Sequence, residues 1–130
     1  MATPTNGDRG FRDLVVWQQA MAIAEQVYAV TRHFPPDERF GLVTQCRRAA
    51  TSIAANIAEG HGRRSAAYFV HFLRIARGSV SELDTELELA SRLGCLGAER
   101  WLALHEQLDH TSRLLTNLGR AVAKRRRKED

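Results

Sequence analysis

This chain has little of what a catalyst or a disulfide-stapled secreted scaffold is built from. Its 130 residues include two cysteines and three prolines, and aromatics make up only 7%. Cys46 and Cys95 lack CxxC spacing, so they assemble neither a disulfide framework nor a zinc knuckle; Cys46 falls on an apolar helical seam, as a small buried hydrophobe in a reducing compartment would. No apolar run approaches the roughly 20 residues needed to span a bilayer, and the polar opening Met1–Gly10 lacks the apolar stretch of a secretion signal. A cytoplasmic protein without membrane contact is expected. Neither GxxxxGK[ST] nor GxSxG nor HExxH occurs. His105 with Asp109, and Glu106 with His110, have i,i+4 spacing that allows one metal-ligand pair each, but such residues are usually the wet face of an amphipathic helix. The expectation is a protein that is not an enzyme and uses neither metal nor cofactor.

What the chain does have is rhythm. Apolar residues recur at alternating spacings of three and four in four stretches: Leu14, Trp17, Met21, Ala24, Tyr28, Thr31; Val43, Cys46, Ala50, Ile53, Ile57; Phe69, Phe72, Ala76, Ser79, Leu83, Leu87, Ala90; and Trp101, Leu104, Leu108, Thr111, Leu115, Leu118, Val122. Each paints one seam along a helix, and four such seams share one core. Phe34-Pro35-Pro36 ends the first helix, Asp37 and Glu38 put acids into the first turn of the second, Gly60-His61-Gly62 reads as its stop, Ser65 as the next N-cap and Gly94 as the third helix's end. The spacing predicts an all-α, antiparallel up-down-up-down bundle over residues 13–123, with helices at about 13–32, 38–59, 65–93 and 98–123, a disordered lead at 1–12 and a basic tail at 124–130.

Two features exceed what a bundle needs. A second ladder on the first helix, Val16, Ala20, Ile23, Val27 and Val30, widens its apolar arc to about 200°. That surplus predicts packing against another chain, with Val16, Ile23, Val27 and Val30 as the oligomer interface. Gly78, inside the third helix, costs roughly 1 kcal/mol relative to Ala and predicts close approach of another backbone at Gly78-Ser79. On the second helix Gln45, Ser52, Asn56 and Glu59 form a polar stripe beside the core, either a hydrogen-bond network or a subunit contact.

The net charge is +4, and it is segmented. Residues 37–78 hold seven arginines against three acids, residues 82–109 seven acids against two arginines, and residues 110–130 seven cations against two acids. Seventeen of the 19 cations are arginine, whose planar donor fork suits phosphates and carboxylates. Counting outward from Gly60 and Ser65 places Arg47 and Arg48 level with Arg74 and Arg77, and Arg113 near them. With Arg63 and Arg64 at the turn, these arginines form either a phosphate-binding belt or an inter-subunit salt network with Glu82, Asp84, Glu86 and Glu88. Five consecutive cations, Lys124, Arg125, Arg126, Arg127 and Lys128, add affinity for polyanions without specificity.

The block Arg47-Arg48-Ala49-Ala50-x-Ser52-Ile53-x-x-Asn56-Ile57-Ala58-Glu59-Gly60, then Gly62-Arg63-Arg64-Ser65, Phe69-x-x-Phe72-Leu73 and Ile75-Ala76-x-Gly78-Ser79-x-x-Glu82-Leu83, resembles the four-helix-bundle proteins encoded in intervening sequences of bacterial 23S rRNA genes. Phe11-x-Asp13-Leu14-x-x-Trp17 is similar to that family's opening. The family includes the accessory variability determinant of diversity-generating retroelements. The resemblance implies a small, non-enzymatic homopentamer with a positively charged surface that binds DNA or RNA and engages a reverse transcriptase or another protein. An accessory nucleic-acid-binding oligomer is the expectation; the alternative is a protein-interaction scaffold whose arginines serve subunit or partner contacts.

Overall fold

The computed structural model describes residues 9–129, with side chains through residue 125. Four helices, α1 (Val15–Thr31), α2 (Leu42–Gly62), α3 (Ala66–Arg92) and α4 (Ala98–Glu129), pack each against the next, and α4 closes the ring against α1. Short 3-10 turns at Gly10–Asp13 and Pro36–Glu38 lead into α1 and α2. No strand occurs among the described residues. The result is the all-α antiparallel bundle that the ladders predict, and the α2, α3 and α4 seams lie in its core: Cys46, Ile53, Ile57, Leu83, Leu87, Leu108 and Leu115 are all fully buried.

The α1 seam differs from expectation: of its main ladder only Ala24 and Thr31 are fully within the core. Val16, Ile23, Val27 and Val30, expected at an oligomer interface, are buried within the monomer, none more than 8% exposed. Met21 and Tyr28 of the supposed main ladder face outward, while Trp17 sits at the margin, its ring 5.4 Å from Phe11. The reason is size. α2 presents Ala49, Ala50 and Ala54 to the core, and a helix surface that thin lets compact Val and Ile side chains come close where Trp and Tyr would hold the helices apart.

Helix ends also differ from expectation. α2 begins at Leu42 rather than 38, because Pro36–Glu38 closes as a 3-10 turn and the Glu38 carboxylate then accepts from the free Leu42 N–H at 3.2 Å. At its other end α2 runs through Gly60 to Gly62, and the chain reverses where Arg64 adopts a left-handed φ of 56°. Gly60 is therefore no stop. It is buried where α2 meets α3, and a Cβ built on it would lie 2.7 Å from Phe72 Cβ. Ser65 does cap α3, its Oγ accepting from the Tyr68 N–H at 3.4 Å. Gly94, with φ 82°, ends it in a left-handed turn where the Cys95 N–H reaches back to the Ala90 carbonyl at 2.8 Å. α4 continues to Glu129, so the backbone of the expected tail is helical as far as that residue. Of the expected lead, residues 1–8 lie outside the described residues, whereas Gly10–Asp13 is an ordered turn.

Polar contacts fix the register. Gln26 on α1 and Gln107 on α4 exchange amide hydrogen bonds of 2.8 and 2.9 Å. Ser52 and Ser79 meet hydroxyl to hydroxyl at 2.9 Å, and Asn56 donates to both the Ser52 carbonyl and its hydroxyl. The α2 polar stripe is thus partly an intramolecular network joining α2 to α3. Cys46 is fully buried beside it, its thiol pushed up to about 12 by burial and by the nearby Glu86 carboxylate, which makes it unreactive at neutral pH.

Candidate nucleic-acid interface

The antiparallel order brings the start of α1, the end of α2, the start of α3 and the end of α4 to one end of the bundle. Arg9, Arg12, Arg63, Arg64, Lys124 and Arg125 gather there against Asp13 and Glu59, and Arg120, Arg74 and Arg77 follow about one to three turns inward. The opposite half carries Glu82, Asp84, Glu86, Glu88, Glu99, Glu106 and Asp109. The charge segments of the sequence become a long axis with one basic end.

The predicted arginine belt does not form as a belt. From the Ser52–Ser79 contact, five residues back along α2 and five forward along α3 set Arg47 level with Asp84, not with Arg77. The displacement is seven residues, about 10 Å of helix, and the continuation of α2 through Gly62 accounts for part of it. Arg47 is occupied: its Nε–H donates to Thr31 Oγ1 at 2.9 Å and its guanidinium lies 4.5 Å from the Tyr28 ring centre, clamping the C-terminus of α1. Arg48 is exposed near the acidic half. Arg63 is engaged by Glu59 at 2.9 Å and lies over Tyr68 and Phe72, and Arg113, although at the height expected, is held by Asp109 at 2.8 Å. The side chains of Arg126, Arg127 and Lys128 lie outside the described residues.

What the fold does assemble is a groove between α3 and α4. Arg74 and Arg77 from one wall and Thr116 and Arg120 from the other line a cavity of about 260 Å³, floored by Leu73, Leu115 and Gly119. Among the described residues no carboxylate lies within 4.0 Å of these three guanidiniums. A second cavity of about 440 Å³ at the basic tip brings Arg64, His61 and Arg125 around Leu14, Phe69 and Leu118. Arg120, Thr116 and Gly119 do not stand out in the sequence by themselves. A signal is there nonetheless: Arg113, Thr116 and Arg120 follow helical spacing on one face, and Gly119 is a second helix-interior glycine, costing about 1 kcal/mol relative to Ala, directly beside a cation.

In the acidic half Asp84, Glu88 and Asp109 are paired. His105 Nδ1 lies 2.9 Å from Asp84 Oδ1, joining α4 to α3, and Glu88 holds Arg92 at 2.6 Å. On α4 the i,i+4 pairs are drawn apart, His105 turning to Asp84 and Asp109 to Arg113; among the described residues no group of three or more metal-ligating side chains converges. Glu86 keeps one buried carboxylate oxygen without a hydrogen-bond partner, and burial followed by the neighbouring Glu82 raises its pKa. The Asp84 hydrogen bond, with the charges of Asp84, Asp109 and Glu88, raises the His105 pKa above its ordinary 6.5 against an opposing burial effect. The pair's stabilisation is therefore full below pH 6.5 and is lost as pH rises through the folded-state pKa. Being 43% exposed at the imidazole, it is a small effect. An NMR titration should find His105 protonating above pH 6.5, and Asp84→Asn should bring its midpoint down; an unchanged midpoint would deny the pair.

The arrangement defines a class: a basic-ended antiparallel four-helix bundle whose charged groove is built from arginine. The chain belongs to the 23S rRNA-intervening sequence protein family, whose model matches residues 12–117. It is similar to the crystal structure of a protein of unknown function from the S23 ribosomal protein family of Bacteroides thetaiotaomicron, with 26% identity and a TM-score of 0.73 over 81% of this chain and 98% of that one. No curated protein matches it. No helix among the described residues is long and apolar enough to cross a membrane.

Proposed function

We propose that this protein is a homo-oligomeric, non-enzymatic accessory factor, a homopentamer by family resemblance, that binds DNA or RNA through phosphate contacts at its basic end. The observation that carries the reading is the α3–α4 groove, where Arg74, Arg77 and Arg120 share one cavity without a carboxylate at hand. Guanidinium groups left unneutralised on a folded surface favour polyanions, which release condensed counterions on binding. Arg64, Lys124 and Arg125 extend the same field over the tip, while Arg47 and Arg63, already engaged, serve the fold. Phosphate contacts carry no base information, so sequence preference is not expected. Self-association is supported by large apolar side chains left exposed on α1 and α3, among them Val15, Met21, Tyr28, Tyr68, Ile75 and Leu89. A reverse transcriptase or another protein partner would extend the same accessory role.

The test compares the full chain with one ending at Ala123, which keeps Val122, the last buried residue of α4 among those described. Binding to short labelled duplex DNA and structured RNA is measured over a salt series. Retained binding by the shortened chain, with a slope of log affinity against log salt worth several phosphates, is the expected result. Binding that disappears with the tail would make the bundle arginines structural and favour the protein-interaction scaffold.

A further inference from the structure

We propose that the α3–α4 groove is a site for a terminal phosphate of a nucleic-acid strand, with Arg74, Arg77 and Arg120 as its anion ligands and Gly119 as the opening that admits the group. This rests on the nucleic-acid reading and narrows it from a charged end to one site.

Two independent observations meet in the groove. The first is charge. Three exposed arginines line about 260 Å³, and among the described residues no carboxylate lies within 4.0 Å of their guanidiniums. Like charges sharing so small a space repel until solvated or neutralised. A phosphodiester brings one negative charge, whereas a phosphomonoester brings about 1.5 to 2 near neutral pH, with three acceptor oxygens that suit bidentate arginine forks. The more highly charged group matches the cluster better.

The second is space. Gly119 lies inside α4, where glycine carries a helix-propensity penalty, yet a Cβ built there meets nothing nearer than Leu73 Cδ1 at 4.0 Å. Packing between the helices does not demand glycine at this position. Its effect is to leave the floor open beneath the three arginines, beside Leu73 and Leu115. The groove is too small for a duplex, and it is the higher charge of a phosphomonoester, rather than the space, that singles out a terminal phosphate.

Fluorescence anisotropy with the intact chain decides the matter, using one short single-stranded oligonucleotide with and without a terminal phosphate, and inorganic phosphate and pyrophosphate as competitors. The phosphorylated strand should bind at least about fivefold tighter. Gly119→Leu, which removes no charge, should abolish that preference and change affinity for the unphosphorylated strand less than about twofold. Gly119→Ala, which favours the helix and is expected to fold, should reduce the preference and keeps the test sound if the leucine variant is unstable. Equal binding of the two strands by the wild-type chain, or a preference undiminished in both Gly119 variants, overturns this site and leaves the broader reading standing. Gly119-dependent binding of inorganic phosphate with no strand bound would instead refute a nucleic-acid source, and with it the proposed function.

Discussion

Replacing Gly60 by alanine should destabilise the bundle by about 1–2 kcal/mol, and valine there by about 3 kcal/mol, even though both are better helix formers than glycine. The added Cβ would stand 2.7 Å from Phe72 Cβ, 3.2 Å from Phe69 Cδ1 and 3.4 Å from Phe69 Cα. A methyl group cannot enter there unless α2 and α3 separate, and separation disturbs Ile57 and Leu73, which are buried beside the contact. Overpacking of this kind costs typically 1–3 kcal/mol, while glycine to alanine in a helix returns about 1 kcal/mol, so the clash wins. Gly78 supplies the control. It sits inside α3 with nothing within 4 Å of a built Cβ, so the close approach expected from its sequence is absent within the monomer. Gly78→Ala should stabilise by about 0.5–1 kcal/mol. Thermal unfolding followed by circular dichroism should move the two alanine variants in opposite directions, by a few degrees each. A Gly60→Ala protein as stable as the wild type would mean that α2 and α3 do not meet as described.

The two glycines show which parts of the fold are legible in the sequence. Apolar periodicity reports which residues share a face, and it identifies four helices and the core seams of three of them. It cannot tell a glycine that stops a helix from one that lets a neighbour approach, because both are glycine near the end of an apolar stretch. Reading Gly60 as a stop shortens α2 and contributes to the shift of about two helical turns in the inferred level of Arg47 and Arg48. The clue lies in α3: Phe69 and Phe72, three residues apart, need a small residue opposite them. On α1 the aromatic ladder looks like the core because Trp and Tyr carry more apolar surface than Val. The alanines of α2 reverse that preference, and no inspection of α1 by itself discloses it. Charge is legible as a segment pattern, but its pairing is not. Arg74 and Arg77 stand among the sequence candidates, whereas Arg120 is absorbed into the count of the C-terminal segment, since only the α3–α4 register brings it beside them.

Neutralising those three together, as Arg74→Gln, Arg77→Gln and Arg120→Gln, should weaken nucleic-acid binding roughly a hundredfold at low salt, taking about 1 kcal/mol for each exposed arginine on a phosphate. It should also lower the slope of log affinity against log salt by about one to two, the charge of the one phosphate the groove holds. The matched control is Arg32→Gln, Arg92→Gln and Arg100→Gln, which removes the same charge from the opposite end of the bundle. Net charge alone acts through the long-range field, so if it were the whole explanation the two triple variants would bind alike. A local site predicts that only the groove variant gives up direct hydrogen bonds to the strand, and that its deficit shrinks as salt screens both proteins. None of the six arginines donates a buried hydrogen bond, and the one ion pair among them, Arg92 with Glu88, is solvent-exposed, so both variants should keep the wild-type helical spectrum. Equal binding by the two triple variants would place the interaction outside the groove.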